Sequence, residues 1–148
     1  MLGSHIDSVI ENIVTPVRNL NIAIDCGNAV AGPAMLELFE RLKINVTPLF
    51  CDWDNTFPNH PPDPTRVENM QSLATAVREN HCDIGIGIDG DGDRVGLVDE
   101  QGNFVHPDKM LALFAIDILK QRNGMNDEER TIIFDVKCSM AVENVIVE

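Results

Sequence analysis

The chain has 148 residues, 44% hydrophobic and 24% charged, the profile of an ordinary globular domain. A domain of this length buries roughly 70% of the surface its unfolded chain exposes, so it needs no disulfide or metal to fold. Eleven Lys and Arg against 24 Asp and Glu give a formal charge of −13, which excludes a nucleic-acid or anionic-membrane footprint.

Taken in chain order, Ile6, Val9, Ile10, Ile13 and Val14 recur at helical spacing, which predicts a short amphipathic helix ending near Pro16. The opening MLGSH reads as a tag remnant and is left out of fold reasoning. Asn21 to Cys26 predicts a strand, and Gly27 to Gly32 a small-residue turn into a helix from Ala34 to Lys43, with Pro33 at its first position. A buried strand follows from Asn45 to Phe50. Its N-x-T pattern at Asn45-Val46-Thr47 is therefore a chance match to a glycosylation sequon. Asp52 to Pro64 holds four of the eight prolines and predicts an irregular loop. Val67 to Asn80 predicts a helix, Asp83 to Ile88 a third strand and Val95 to Asp99 a fourth. A helix from Pro107 to about Arg122 has Asp108 in its first turn and Lys120 and Arg122 in its last, matching the dipole. Gly124 to Arg130 is a polar connector, Thr131 to Val136 one more strand, and Ala141 to Val147 the start of a helix.

Strands alternating with helices predict an α/β fold. The expected form is α/β/α layers around a four-stranded mixed sheet. Three strands should be parallel. The fourth follows the third after about six residues, too few for a crossover, so those two should be antiparallel neighbours. No apolar run approaches about 18 residues, so no membrane span is expected. MLGSHIDS lacks the basic start and apolar core of a secretory signal. Cys26, Cys51, Cys82 and Cys138 form no C-x-x-C pair and mostly flank apolar runs, as buried thiols of a cytoplasmic protein do.

Asp89-Gly90-Asp91-Gly92-Asp93-Arg94 is the segment that carries chemistry. Three carboxylates in five residues repel one another and raise each other's pKa unless something positive binds between them. Alternate spacing can point all three one way, and the glycines let the backbone curl. Oxygen-only donors suit a hard cation such as Mg²⁺. Arg94 adds a fixed charge suited to phosphate. The plain alternative is an acidic hairpin turn exposed to solvent.

Three other patterns compete with this reading. Asp89, Asp91, Asp93 and Glu100 match positions of a calcium loop, but Arg94 stands where glycine is required and the flanks are strands. Gly85, Gly87 and Gly90 satisfy G-x-G-x-x-G without the helix that a dinucleotide site needs. Asp52-Trp53-Asp54-Asn55-Thr56 resembles the D-x-D-x-T nucleophile motif of haloacid-dehalogenase-type phosphatases, with Asp52 as nucleophile and Asp54 as acid and base. The strands that would bear that family's remaining residues have no room in the spacing. A polar loop at the sheet edge is the better reading.

DCGNAVAG at residues 25–32, FPNHPPDP at 57–64, the segment from Asp83 to Val95 and DVKCS at 135–139 occur in that order. This series resembles the second domain, and the first strand of the third, of the bacterial phosphomannomutase/phosphoglucomutases, which are α-D-phosphohexomutases. Ala29 stands where that family usually has glycine, and Pro61 where a second histidine is common. The resemblance implies residues 1–18 as a linker helix, 19–123 as domain II, and 124–148 as a connector and the start of a truncated domain III. It implies a four-domain enzyme that interconverts hexose 6-phosphate and hexose 1-phosphate, of mannose or glucose, through a phosphoserine and a bisphosphate intermediate. Asp89, Asp91 and Asp93 would hold Mg²⁺, and Arg94 would be the catalytic arginine beside the phosphoserine. Lys137 would help bind the hexose phosphate, or be a solvated lysine at a strand end. None of Ser4, Ser8, Ser72 and Ser139 lies in a T-A-S-H-N-P loop, so this stretch alone should be inactive and should work with the rest of a longer chain. A metal-binding or interaction module without catalysis is the alternative. On the mutase reading the acidic balance also makes sense, since this domain supplies the metal pole and other domains the anion clamps.

Overall fold

The computed structural model describes residues 2–13, 20–122, 124, 126, 128 and 130–147. The expected helix end near Pro16 lies outside these residues. The chain divides into two compact units, Met1–Phe104 and Val105–Glu148.

The first unit contains α1 (Leu2–Glu11), β1 (Asn21–Asp25), α2 (Gly32–Arg41) and β2 (Asn45–Leu49). After a long loop come a 3₁₀ turn at Val67–Met70, α3 (Gln71–Glu79), β3 (Ile84–Ile88) and β4 (Val95–Asp99). The sheet order is β2-β1-β3-β4-β5, where β5 is Phe104–Val105. β1 pairs in parallel with both β2 and β3, and β3 with β4 antiparallel. The expected parallel trio and antiparallel fourth strand are therefore present, but the sheet has five strands rather than four. β5 is two residues long, too short for any periodicity to reveal it. Leu2 to His5, set aside from fold reasoning, belong to α1.

Period-2 alternation divides the sheet's side chains between two faces. Ala23 and Val98 pack under Met70, Leu73, Ala74 and Val77 of α3 and its preceding turn. Ile24, Ile86, Ile88 and Val46 meet Met35, Leu36 and Phe39 of α2, with Cys26 and Cys51 between them. Helices thus cover both faces. Each fully buried Leu, Ile or Val contributes ~1.5–3 kcal/mol, and Ile24, Leu73, Val77 and Val98 are all of this kind. β2 lies at the sheet edge and is half exposed rather than buried. The edge position also explains how Pro48 is accommodated, since an edge strand can spare one donor.

The G-x-G pattern of β3 has a packing explanation. A Cβ on Gly85 would lie 2.8 Å from Val77 Cγ2 and 2.9 Å from Leu73 Cγ. Both neighbours are fully buried and have no room to retreat. Overpacking of this kind costs ~1–3 kcal/mol, against ~0.4–1 kcal/mol gained from a stiffer unfolded chain. Gly85→Ala is therefore expected to lower the thermal unfolding midpoint, with a net loss of about 1 kcal/mol. An unchanged or raised midpoint in a calorimetric scan would show that the helix can lift off the strand without penalty.

The second unit contains α4 (Pro107–Gln121) and α5 (Met140–Val147), which pack on each other. Pro107 and Asp108 open α4 and Lys120 stands in its last turn. Ser139 hydrogen-bonds Asp108 and holds its carboxyl below the usual range. Thr131 to Val136 is not a strand, contrary to expectation. A β-branched apolar run becomes a strand only beside a neighbour that accepts its ladder, and no ladder partner exists among the described residues. Ile133 and Val136 are 90% and 96% exposed.

Candidate metal centre

The turn between β3 and β4 begins one residue after the last ladder pair, Ile88 with Val95. Asp89 N–H donates to the Arg94 carbonyl at 3.2 Å and closes the turn. Asp89 is fully buried. Its Oδ1 accepts from the backbone N–H groups of Gly92 (3.0 Å) and Arg94 (2.9 Å). Its Oδ2 accepts from Arg94 Nε at 2.7 Å. Of the two glycines in the turn only Gly92 takes a positive φ, +84°, so the curl of the loop depends on it alone.

Oxygens of Asp89, Asp91 and Asp93 all lie within 4.8 Å of one another. Asp91 and Asp93 are exposed. The donor set is all carboxylate oxygen, as a hard divalent cation requires. Octahedral Mg²⁺ with bonds of ~2.1 Å places neighbouring oxygens about 3.0 Å and opposite ones about 4.2 Å apart, so a pair at the 4.8 Å limit must close by up to about 1.8 Å, a movement open to the exposed Asp91 and Asp93 side chains. The residues fit such an ion.

Electrostatics separates the three. The charge of Asp91 is the largest cause raising the Asp93 carboxyl, with burial and Asp89 adding to it. Asp89 moves the other way. Burial pushes its carboxyl up, but the backbone N–H and guanidinium of Arg94 outweigh it and hold the carboxyl below the usual range. The expected mutual raising of pKa therefore fails at Asp89, because the loop carries its own cation.

A second layer of residues was not legible as a site in the sequence. Arg94 Nη1 donates to Asp63 Oδ1 at 3.3 Å. Asp63 Oδ1 also accepts from Thr65 N–H (3.2 Å) and Thr65 Oγ1 (2.7 Å). Gly90 N–H donates to the Pro62 carbonyl at 3.1 Å. The FPNHPPDP segment thus crosses beside the acidic turn. It also contacts the DCGN segment at the end of β1. His60 Nε2 lies 3.0 and 3.2 Å from the two oxygens of Asp25. Asn59 Nδ2 donates to Asn28 Oδ1 at 2.7 Å. Asp25 is 3% exposed and accepts from Gly27 N–H at 2.8 Å. Burial raises its carboxyl, partly countered by Gly27 N–H and His60. The only signal for this layer was that both segments belong to the motif series, since residues far apart in sequence meet only in the folded chain. Ala29 is buried and is not among the positive-φ residues, so its methyl group carries no backbone strain.

Asp52 and Asp54 are exposed. Asp54 Oδ1 is occupied by Thr56 N–H (3.0 Å) and Thr56 Oγ1 (2.7 Å), which hold its carboxyl low in a surface turn. Lys137 belongs to the second unit, in an exposed turn where its N–H donates to Asp135 Oδ1 at 2.8 Å.

The profile described as "Phosphoglucomutase/phosphomannomutase, alpha/beta/alpha domain II" matches residues 4–102. The chain belongs to the phosphoglucomutase/phosphomannomutase family. It is 45% identical over 139 residues to the phosphomannomutase/phosphoglucomutase of Pseudomonas syringae pv. tomato, covering 94% of this chain and 29% of that protein. It is 47% identical over 120 residues to the phosphoglucomutase of Neisseria meningitidis serogroup B, covering 81% of this chain and 25% of that protein. A crystal structure of a phosphoglucomutase/phosphomannomutase family protein from Burkholderia thailandensis superposes with a TM-score of 0.79 at 37% identity. That likeness covers 83% of this chain and 27% of the other. The chain therefore spans under a third of the length of these relatives. Membership of this family removes the D-x-D-x-T reading, and the described turn around Asp54 agrees with a structural role for those residues. No helix among the described residues is long and apolar enough to cross a membrane.

Proposed function

We propose that this chain is the metal-binding second domain of a phosphohexomutase. The whole enzyme would interconvert the 6-phosphate and 1-phosphate of glucose or mannose, using a phosphoserine from another part of the full chain and a bisphosphate intermediate. On this reading residues 19–123 are the second domain and 124–148 lead into the third. The observation that carries it is the convergence of Asp89, Asp91 and Asp93 within 4.8 Å, in a chain of this family. Mg²⁺ held there supplies positive charge against the phosphoryl group in transfer.

This chain's own residues then have distinct tasks. Asp89 is the buried anchor whose hydrogen bonds shape the turn. Asp91 and Asp93 offer oxygens at the exposed mouth. Arg94 is the catalytic cation beside the phosphoserine. With its side chain 52% exposed and braced by Asp89 and Asp63, it can also present N–H groups to a phosphate. Lys137 is the residue proposed to contact the hexose phosphate. None of the chain's own serines is assigned as phosphoryl carrier, so this stretch by itself is expected to be inactive, with the protein working in the cytoplasm as part of a longer chain.

Calorimetric titration of the chain with Mg²⁺ tests the metal assignment. Three protein oxygens without a phosphate ligand leave the ion mostly hydrated, so a dissociation constant of about 1 mM or weaker is expected. Asp91→Asn should abolish that signal. No binding at tens of millimolar would sink the reading. Micromolar affinity would mean that the site is complete in this chain, and a self-contained metal module would become the better account.

A further inference from the structure

Cys26 and Cys51 play no part in the proposed mechanism, yet the fold sets them side by side. Cys26 is the residue after β1, and Cys51 lies two residues after β2, its parallel neighbour. Their sulfurs are 3.6 Å apart and share an S–H···S hydrogen bond. Two backbone bonds extend the β1–β2 ladder past the strand ends. Cys26 N–H donates to the Leu49 carbonyl (3.3 Å), and Asn28 N–H to the Phe50 carbonyl (2.7 Å). On the far side the first residue of α2 presses against the same segment, for a Cβ on Gly32 would lie 2.0 Å from the Cys51 carbonyl oxygen. The two backbone segments are thus held together, which keeps the two cysteines neighbours. A covalent bond needs them to close to about 2.05 Å, a movement within reach of side-chain rotation.

We propose that Cys26 and Cys51 are a disulfide-forming pair, oxidised by a small-molecule disulfide such as oxidised glutathione. Cys51 enters the reaction first. It is 8% exposed while Cys26 is fully buried. Once Cys51 is ionised, the Cys26 thiol beside it can donate to the thiolate and favour it, while that contact, with burial, pushes the Cys26 thiol up. The Cys51 thiolate attacks one sulfur of the oxidant, breaks its S–S bond and releases one small thiolate. The Cys26 sulfur then attacks Cys51 and displaces the second small thiolate, which takes up the Cys26 proton. Two electrons pass from the cysteine pair to the oxidant, and two small thiols leave. The product joins the end of β1 to the end of β2 across the Gly27-Asn28 turn, on which Pro62 and Asn59 rest. Oxidation therefore stiffens the platform beneath the loop that braces Arg94.

Cys82, whose sulfur lies 3.9 Å from Thr47 Oγ1, and Cys138 serve as internal controls. The chain is incubated with oxidised glutathione, alkylated under denaturing conditions, digested and mapped by mass spectrometry. The expected result is a Cys26–Cys51 linked peptide, with alkylated Cys82 and Cys138, and no intramolecular link in Cys51→Ala. A closed loop of about 25 residues should raise the thermal unfolding midpoint of the oxidised chain by roughly 5 °C or more. Four alkylated cysteines, a link through Cys82 or Cys138, or a lowered midpoint on oxidation would each overturn the proposal.

Discussion

Asp91→Asn in a full-length chain carrying this domain is expected to lower mutase turnover by about two orders of magnitude while leaving the fold unchanged. The substitution keeps the size of the side chain and one oxygen but removes a negative charge from the cluster. On the proposed reading that charge holds the cation, which offsets charge on the phosphoryl group in flight. Losing one such electrostatic contact typically costs ~10²–10³ in rate. Asp91 lies exposed at the mouth of the turn, outside both hydrophobic clusters, so stability has little reason to change. A coupled assay on glucose 1-phosphate, run beside thermal unfolding of the same variant, separates the two effects. Turnover close to wild type would remove Asp91 from the metal site, and a large drop in midpoint would make its role structural.

Asp89→Ala should behave in the opposite way and destabilise the domain even without metal. Its fully buried carboxylate accepts three hydrogen bonds, two of them from backbone N–H groups that no other described acceptor satisfies. Leaving these part-buried donors unpaired costs up to ~1–3 kcal/mol. The half-exposed Arg94 adds less, because water can replace its lost partner. A loss of about 2–3 kcal/mol, or roughly 5–10 °C in the unfolding midpoint, is expected. The pH dependence has a definite sign. Since the folded-state pKa of Asp89 lies below its ordinary value of 3.8, its contribution is fully present above pH ~4. It disappears as the pH falls through the lower folded value, and the midpoints of wild type and Asp89→Ala should converge there. Equal midpoints at pH 7 would contradict the role assigned to the Asp89 hydrogen bonds.

The alternation of strands and helices, the antiparallel β3–β4 pair and the position of the acidic turn after β3 could all be read from the chain. They follow from local rules: period-2 and period-3.6 burial, the reach of a six-residue connection, and the intolerance of strands for clustered aspartates and glycines. The motif series likewise led to the family, because each segment is contiguous. Sequence failed where structure depends on a neighbour. Thr131 to Val136 has strand composition and forms no strand, while Phe104–Val105 is too short for a pattern yet pairs at the sheet edge. The dinucleotide pattern at Gly85 and Gly87 is rightly set aside for want of its helix, but its cause, the press of α3 and its preceding turn on the sheet, is visible only in the fold. Above all, the neutralisation of Asp89 by Arg94, the bracing of Arg94 by Asp63 and the Asp25–His60 pair were decided by tertiary structure. Hydrogen bonds between residues as many as 35 positions apart have no sequence period to betray them, and exist only once the parallel strands bring three loops to one end of the sheet.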